Sequence, residues 1–135
     1  MTWEPRPVPT PTPETAPYWE GATEGRLMLN ECNDCGLIYH YPRALCPDCF
    51  SDDVDWIEAS GAGEVYSYTL ARQVPGWPED DVPVAMAFVE LAEGPKMPSV
   101  VRECDPEDVE VGMAVSVDFV ETEEDGVAIP VFTPA

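Results

Sequence analysis

Cations are scarce in this chain. Its 135 residues carry six lysines and arginines against 27 aspartates and glutamates, a formal charge of −21, and Lys96 is the one lysine. The five arginines (Arg6, Arg26, Arg43, Arg72 and Arg102) are scattered, so no basic patch exists to follow a phosphate backbone, and nucleic acid is excluded as a partner. Histidine is scarcer still, with His40 alone. Without a second histidine, a Ser-His-Asp set or a Gly-rich phosphate loop, no catalytic constellation can be assembled. The acids are too numerous for one carboxylate pair to stand out. No apolar signal region follows Met1; the segment there is polar and proline-rich, which points to a cytoplasmic chain, away from disulfides and with no membrane partner.

Cysteine, by contrast, is patterned. Cys32 to Cys49 reads C-N-D-C-G-L-I-Y-H-Y-P-R-A-L-C-P-D-C, two Cys-x-x-Cys pairs separated by ten residues. Brought together across a hairpin, Cys32, Cys35, Cys46 and Cys49 can present four thiolates tetrahedrally, close to the zinc-ribbon spacing. Gly36 permits the tight turn after the first pair, and Pro47 starts the next turn with its φ already set. Disulfides would need an oxidising compartment, and a thioredoxin-like pair would need a βαβ context that is absent. Rubredoxin-type iron would use the same four sulfurs. If all four ligate one metal, no position stays open to substrate, so a Zn(II) here is structural. His40 is then expected to serve packing or the surface. Arg43, beside the metal hairpin, could bind an anion or form an internal ion pair, and the ion pair is the expectation.

Proline alternates at Pro5, Pro7, Pro9, Pro11 and Pro13, which forbids helix and makes residues 1–13 an extended arm with no core to join. Such an arm is either disordered or laid across a partner. Residues 14–31 follow as a short helix from a Thr15 cap to Gly25, with Tyr18, Trp19 and Ala22 apolar, and a lead-in strand. A ribbon over 32–60 closes with a strand from Trp56 to Ala59. Residues 61–135 read as β: strands at Glu64–Arg72, Val84–Leu91, Ser99–Cys104, Val115–Phe119 and Val127–Phe132, with a short helix starting at Asp105-Pro106-Glu107-Asp108 and closed by Gly112. Tyr66, Tyr68 and Leu70 alternate, and core packing is expected for both tyrosines. Val84 to Leu91 is apolar on both faces and hence central. Three strands, a helix and two strands is the order of a five-stranded OB-fold barrel, with an SH3-like barrel as the nearest rival. Cys104, at a strand end beside Glu103 and Asp105, reads as a small buried hydrophobe and not as a nucleophile.

The aromatic helix around P-Y-W-E-G, C-N-D-C-G with Y-P-R-A-L-C-P-D-C, G-A-G-E-V-Y-S-Y-T, V-E-L-A-E-G, D-P-E-D-V-E-V-G-M and the closing P-V-F-T-P together resemble the acyl-CoA-associated zinc-ribbon/OB-fold family. That family long carried a domain-of-unknown-function label. The resemblance covers about residues 14–134 and implies a mainly β protein: a helical arm, a rubredoxin-like zinc ribbon ligated by Cys32, Cys35, Cys46 and Cys49, and a C-terminal OB-fold. It further implies a non-catalytic accessory subunit in a hetero-oligomer with a thiolase-superfamily enzyme (an acyl-CoA thiolase, a lipid-transfer-type thiolase or aldolase, or a hydroxymethylglutaryl-CoA synthase), the acyl-CoA being shared with that partner. A MaoC-like enoyl-CoA hydratase is the alternative partner, and a purely structural scaffold the other reading. An apolar barrel mouth could take the acyl or pantetheine portion, with Tyr66, Tyr68 and Trp77 as walls and Arg43 or Arg72 toward the phosphates.

The acids are spread through the chain, and self-repulsion on this scale destabilises a compact state unless salt screens it, which suggests a host adapted to high salt. Thermal unfolding from low to multimolar KCl is expected to show a rising midpoint; a midpoint indifferent to salt would contradict that reading.

Overall fold

The computed structural model describes residues 3–135. After the arm comes one helix, α1 (Ala16–Thr23). Pro17 occupies its first turn, and Gly25, at φ 77°, ends it. Thr15 stands at the cap position but makes no side-chain cap bond, because its hydroxyl accepts from the Thr12 N–H instead (2.9 Å). Three short strands, β1 (Met28–Cys32), β2 (Ile38–Tyr39) and β3 (Val54–Glu58), form an antiparallel sheet in the order β2-β1-β3. Five more, β4 (Ala62–Ala71), β5 (Val84–Leu91), β6 (Lys96–Val101), β7 (Ala114–Glu121) and β8 (Ala128–Pro134), close a barrel in the order β4-β5-β6-β8-β7. The chain is mainly β, as its turn and alternation pattern implies.

One core spans both sheets. Val65, Val89, Met97, Val115 and Phe132 fill the barrel, and Tyr18 of α1, Leu27, Leu29 and Ala59 belong to the same cluster. Phe132 is fully buried, a contribution of roughly 2–3 kcal/mol from area alone.

Four expectations are corrected. The two tyrosines of β4 are not core: Tyr66 is 54% and Tyr68 40% exposed. Tyr66, next to buried Val65, faces outward at a bulge that leaves it unpaired between Val65↔Val89 and Ser67↔Phe88, and the shifted register sets Tyr68 opposite buried Ala87, where it stays partly open to solvent. The third barrel strand begins at Lys96 and ends at Val101, ahead of the expected span. Pro98 fits inside it because β6 meets β8 only at Val101↔Phe132, so no N–H is asked of Pro98 on that side. The expected helix after Asp105 is a single 3-10 turn, Pro106–Asp108, capped by the Asp105 carboxylate accepting from the Glu107 N–H (3.0 Å). Val109 ends it by turning extended (ψ 134°) and burying its side chain in the barrel core.

The fourth correction is the arm. It has a core to join, outside the barrel, where Trp3, Val84, Val100 and Val131 form a second buried cluster with Val8 and Trp77 against it. The Trp3 N–H donates to the Glu121 carbonyl (2.9 Å), its indole Nε1 to Pro7 (2.7 Å), and its ring meets Trp77 edge-on at 5.4 Å. Arg6 lies over the Trp77 ring (4.6 Å to the centroid) and pairs with Asp81, which also takes Arg102 at 2.8 Å. Burial opposes charge on Asp81, but hydrogen bonds from Arg102 and then Arg6 hold its pKa below the usual carboxylate range. The prolines that forbid helix also restrict the unfolded arm, which lowers the ordering cost that docking Trp3 and Val8 has to meet. Trp3→Ala is expected to lower unfolding stability by about 3 kcal/mol in a urea titration; a loss below about 0.5 kcal/mol would show that the arm carries no core.

Candidate metal centre and its surroundings

The hairpin between β1 and β2 and the loop before β3 each fold a Cys-x-x-Cys knuckle. The N–H of Gly36 donates to the Cys32 carbonyl and that of Phe50 to the Cys46 carbonyl, both at 2.9 Å, and Cys32 and Cys46 in turn donate to Leu37 and Ser51. The four sulfurs lie within 4.8 Å of one another, with Cys32 to Cys49 and Cys35 to Cys46 at 3.5 Å. A tetrahedral ZnS4 site with bonds near 2.3 Å sets sulfurs about 3.8 Å apart, whereas a disulfide needs about 2.05 Å. The set therefore fits zinc and not two bridges. Backbone N–H groups of Cys49 and then Asp48 point at the Cys46 sulfur and lower its pKa to about 7, whereas Cys35 and Cys49 in the same cluster are raised, so four thiolates coexist here only around a cation. All four positions are protein sulfur, so the zinc is structural.

Cys32 and Cys46 are buried, while Cys35 and Cys49 face outward. The loop between β2 and Cys46 is pinned from below: the Tyr39 hydroxyl donates to the Arg43 carbonyl (2.7 Å), and the Arg43 N–H to buried Asn30 (3.3 Å). His40 packs between Tyr18 and Tyr41, its Nε2 3.3 Å from the Tyr18 hydroxyl, and burial lowers its pKa to about 4, so it is neutral near pH 7.

The other residues singled out from the sequence separate. Tyr68 and Trp77 line a cleft of about 660 Å³ with Trp3, Met86, Phe88 and Pro98. This cleft lies on the outer face of β4, β5 and β6, where cross-strand pairing sets Ser67, Phe88 and Pro98 in one row and Thr69, Met86 and Val100 in the next. It is not the barrel mouth, because the interior is filled by core side chains. Tyr66 lies apart, under the Lys96 ammonium at 4.6 Å from the ring. Arg72 is on an acid-rich rim, 3.6 Å from Glu107, in a cleft shared with Cys104, whose thiol is pushed up by burial and then by Asp108 and Asp105. Arg43 is exposed and makes no ion pair among the described residues, against expectation. Glu14, the acid in its cleft, accepts from the Ala44 N–H instead (2.9 Å).

Sequence reasoning missed Met86 and Phe88 as surface residues. The signal was present in V-A-M-A-F-V-E-L, apolar on both faces, but it was assigned to burial; the strand is central in pairing, yet Met86 is 36% and Phe88 50% exposed.

Family comparisons agree with this construction. The rubredoxin-like zinc ribbon domain of ChsH2 matches residues 19–55, and the C-terminal OB-fold domain of ChsH2 matches residues 56–120. A DUF35 domain-containing scaffold protein of Methanocaldococcus jannaschii is 36% identical over 110 residues, 80% of this chain and 78% of that protein. The chain belongs to the DUF35 family. Among solved structures, a chain of the Ltp2-ChsH2(DUF35) aldolase superposes on this DUF35 chain with a TM-score of 0.81 at 36% identity, covering 93% of this chain and 98% of that one. A probable enoyl-CoA hydratase alpha subunit of Thermomonospora curvata is 37% identical over 130 residues, 96% of this chain but 40% of that protein, so this chain spans less than half of that relative.

Because the ribbon sheet and the barrel share one core, the metal should support the whole chain. Removing zinc with a strong chelator is expected to lower the thermal midpoint by at least about 10 °C, and Cys46→Ser to do the same. An unchanged midpoint would mean that the sulfurs hold no structural ion.

Proposed function

We propose that this DUF35 chain is a non-catalytic scaffold subunit of an acyl-CoA enzyme complex, and that its partner is a thiolase-superfamily enzyme of the lipid-transfer thiolase, aldolase or hydroxymethylglutaryl-CoA synthase kind. The observation that carries the reading is the match to the DUF35 subunit of the Ltp2-ChsH2 aldolase at a TM-score of 0.81 over 98% of that chain. The site chemistry supports it. Four sulfurs saturate the metal, and the one histidine is held neutral against tyrosine rings. No helix among the described residues is long and apolar enough to cross a membrane.

The outer cleft suits the apolar end of an acyl-CoA, with Tyr68, Trp77 and Phe88 as contacts. Arg43, Arg72 and Tyr66 line other surfaces, so the cations for the CoA phosphates come from the partner. A MaoC-like hydratase partner is the second reading, favoured by the identity to the Thermomonospora curvata hydratase subunit.

The test is purification of the tagged chain from its host at high salt, with mass spectrometry of the eluate. A stoichiometric thiolase-type enzyme is the expected result. A hydratase would favour the second reading, and zinc-loaded chain recovered alone would contradict both.

A further inference from the structure

The two knuckles are near copies, and one difference between them is costly. The residue after each second cysteine turns left-handed and donates to the first cysteine's carbonyl at 2.9 Å. In one knuckle it is Gly36 at φ 79°; in the other it is Phe50 at φ 63°. Glycine takes this conformation freely, whereas a side chain clashes with its own backbone there. Contacts within the chain do not offset that cost, since Phe50 is 74% exposed, more than any other large apolar residue among the described residues. Tyr41 (63%) and Leu45 (51%) are also exposed on this tip, and Phe50, Tyr41 and Pro47 line one shallow cleft with Arg43.

Arg43 supplies a second, independent observation. In a chain with 27 acids it is the only one of the six cations without an ion pair among the described residues. Exposed aromatics around an unpaired arginine have the composition of an interface centre. Asp34, Asp48, Asp52 and Asp53, all exposed, lie in or next to the two knuckle loops.

We propose that the tip of the zinc ribbon is the face that docks the partner enzyme, with Phe50 as the anchor and Arg43 beside it. The complementary surface is a protein one: an apolar pocket for the phenyl ring, a carboxylate facing Arg43, and a basic rim facing the knuckle aspartates. This rests on the scaffold-subunit reading and adds to it the surface used. The metal then serves to present Phe50 on a rigid tip, which limits the ordering cost of association.

Three zinc-loaded full-length variants test it against the enzyme recovered with the wild-type chain. Phe50→Gly relieves the backbone and removes the ring, Phe50→Ala removes the ring alone, and Arg43→Ala removes the charge. Expected are a midpoint raised by about 2–4 °C for the free Phe50→Gly chain, no rise for Phe50→Ala, and Kd weakened at least about tenfold for all three. Wild-type Kd in both Phe50 variants, or a lowered midpoint in Phe50→Gly, would overturn the docking face while leaving the scaffold reading intact. If the wild type recovers no enzyme, the scaffold reading fails and the docking face with it.

Discussion

Four thiolates within 4.8 Å of one another repel unless a cation sits among them, and the ribbon depends on that constraint. The ribbon sheet is small: β2 has two residues, and β1 and β3 have five each. So little sheet is not stable alone. It persists because the metal ties its loops at one end while Leu27, Leu29 and Ala59 join the barrel core at the other. The same arrangement rules out catalysis at the metal, since a site filled by protein sulfur has no position for water or substrate.

Charge explains where the few cations go. Arg6 and Arg102 converge on Asp81 and stack around Trp77, so two of them latch the arm to the barrel. Lys96 covers the face of Tyr66 and pairs with Glu90 at 3.5 Å, while Arg26 and Arg72 make exposed pairs of little energetic weight. Arg43 is the remainder, and it lies on the metal tip. The outer barrel cleft is bordered by aromatics and proline, so the surface is divided between an apolar groove and an aromatic, acid-rimmed tip.

Much of this was legible from local chemistry. The cysteine spacing fixes a four-sulfur site because the knuckle is built from sequence neighbours, and the barrel strands carry enough alternation to set their order. What was not legible depends on residues far apart. The bulge that leaves Tyr66 unpaired and resets the register of Tyr68 is a matter of pairing with β5, and Pro98 is admissible only because β8 scarcely meets β6. Arg6 and Asp81 are 75 positions apart, so the arm read as a tail until its partners were in place. Phe50 looked like any loop residue; its significance comes from a positive φ that only the paired knuckle geometry imposes.

A saturated, structural metal is the central claim, because the rigid tip and the absence of chemistry at the metal both depend on it. X-ray absorption at the zinc edge of the protein purified from its host tests it most directly. Four sulfur scatterers at about 2.3 Å, unchanged on adding acyl-CoA, are the result this account requires. A nitrogen or oxygen ligand in the first sphere, or a shell that changes with acyl-CoA, would mean an open metal and contradict it.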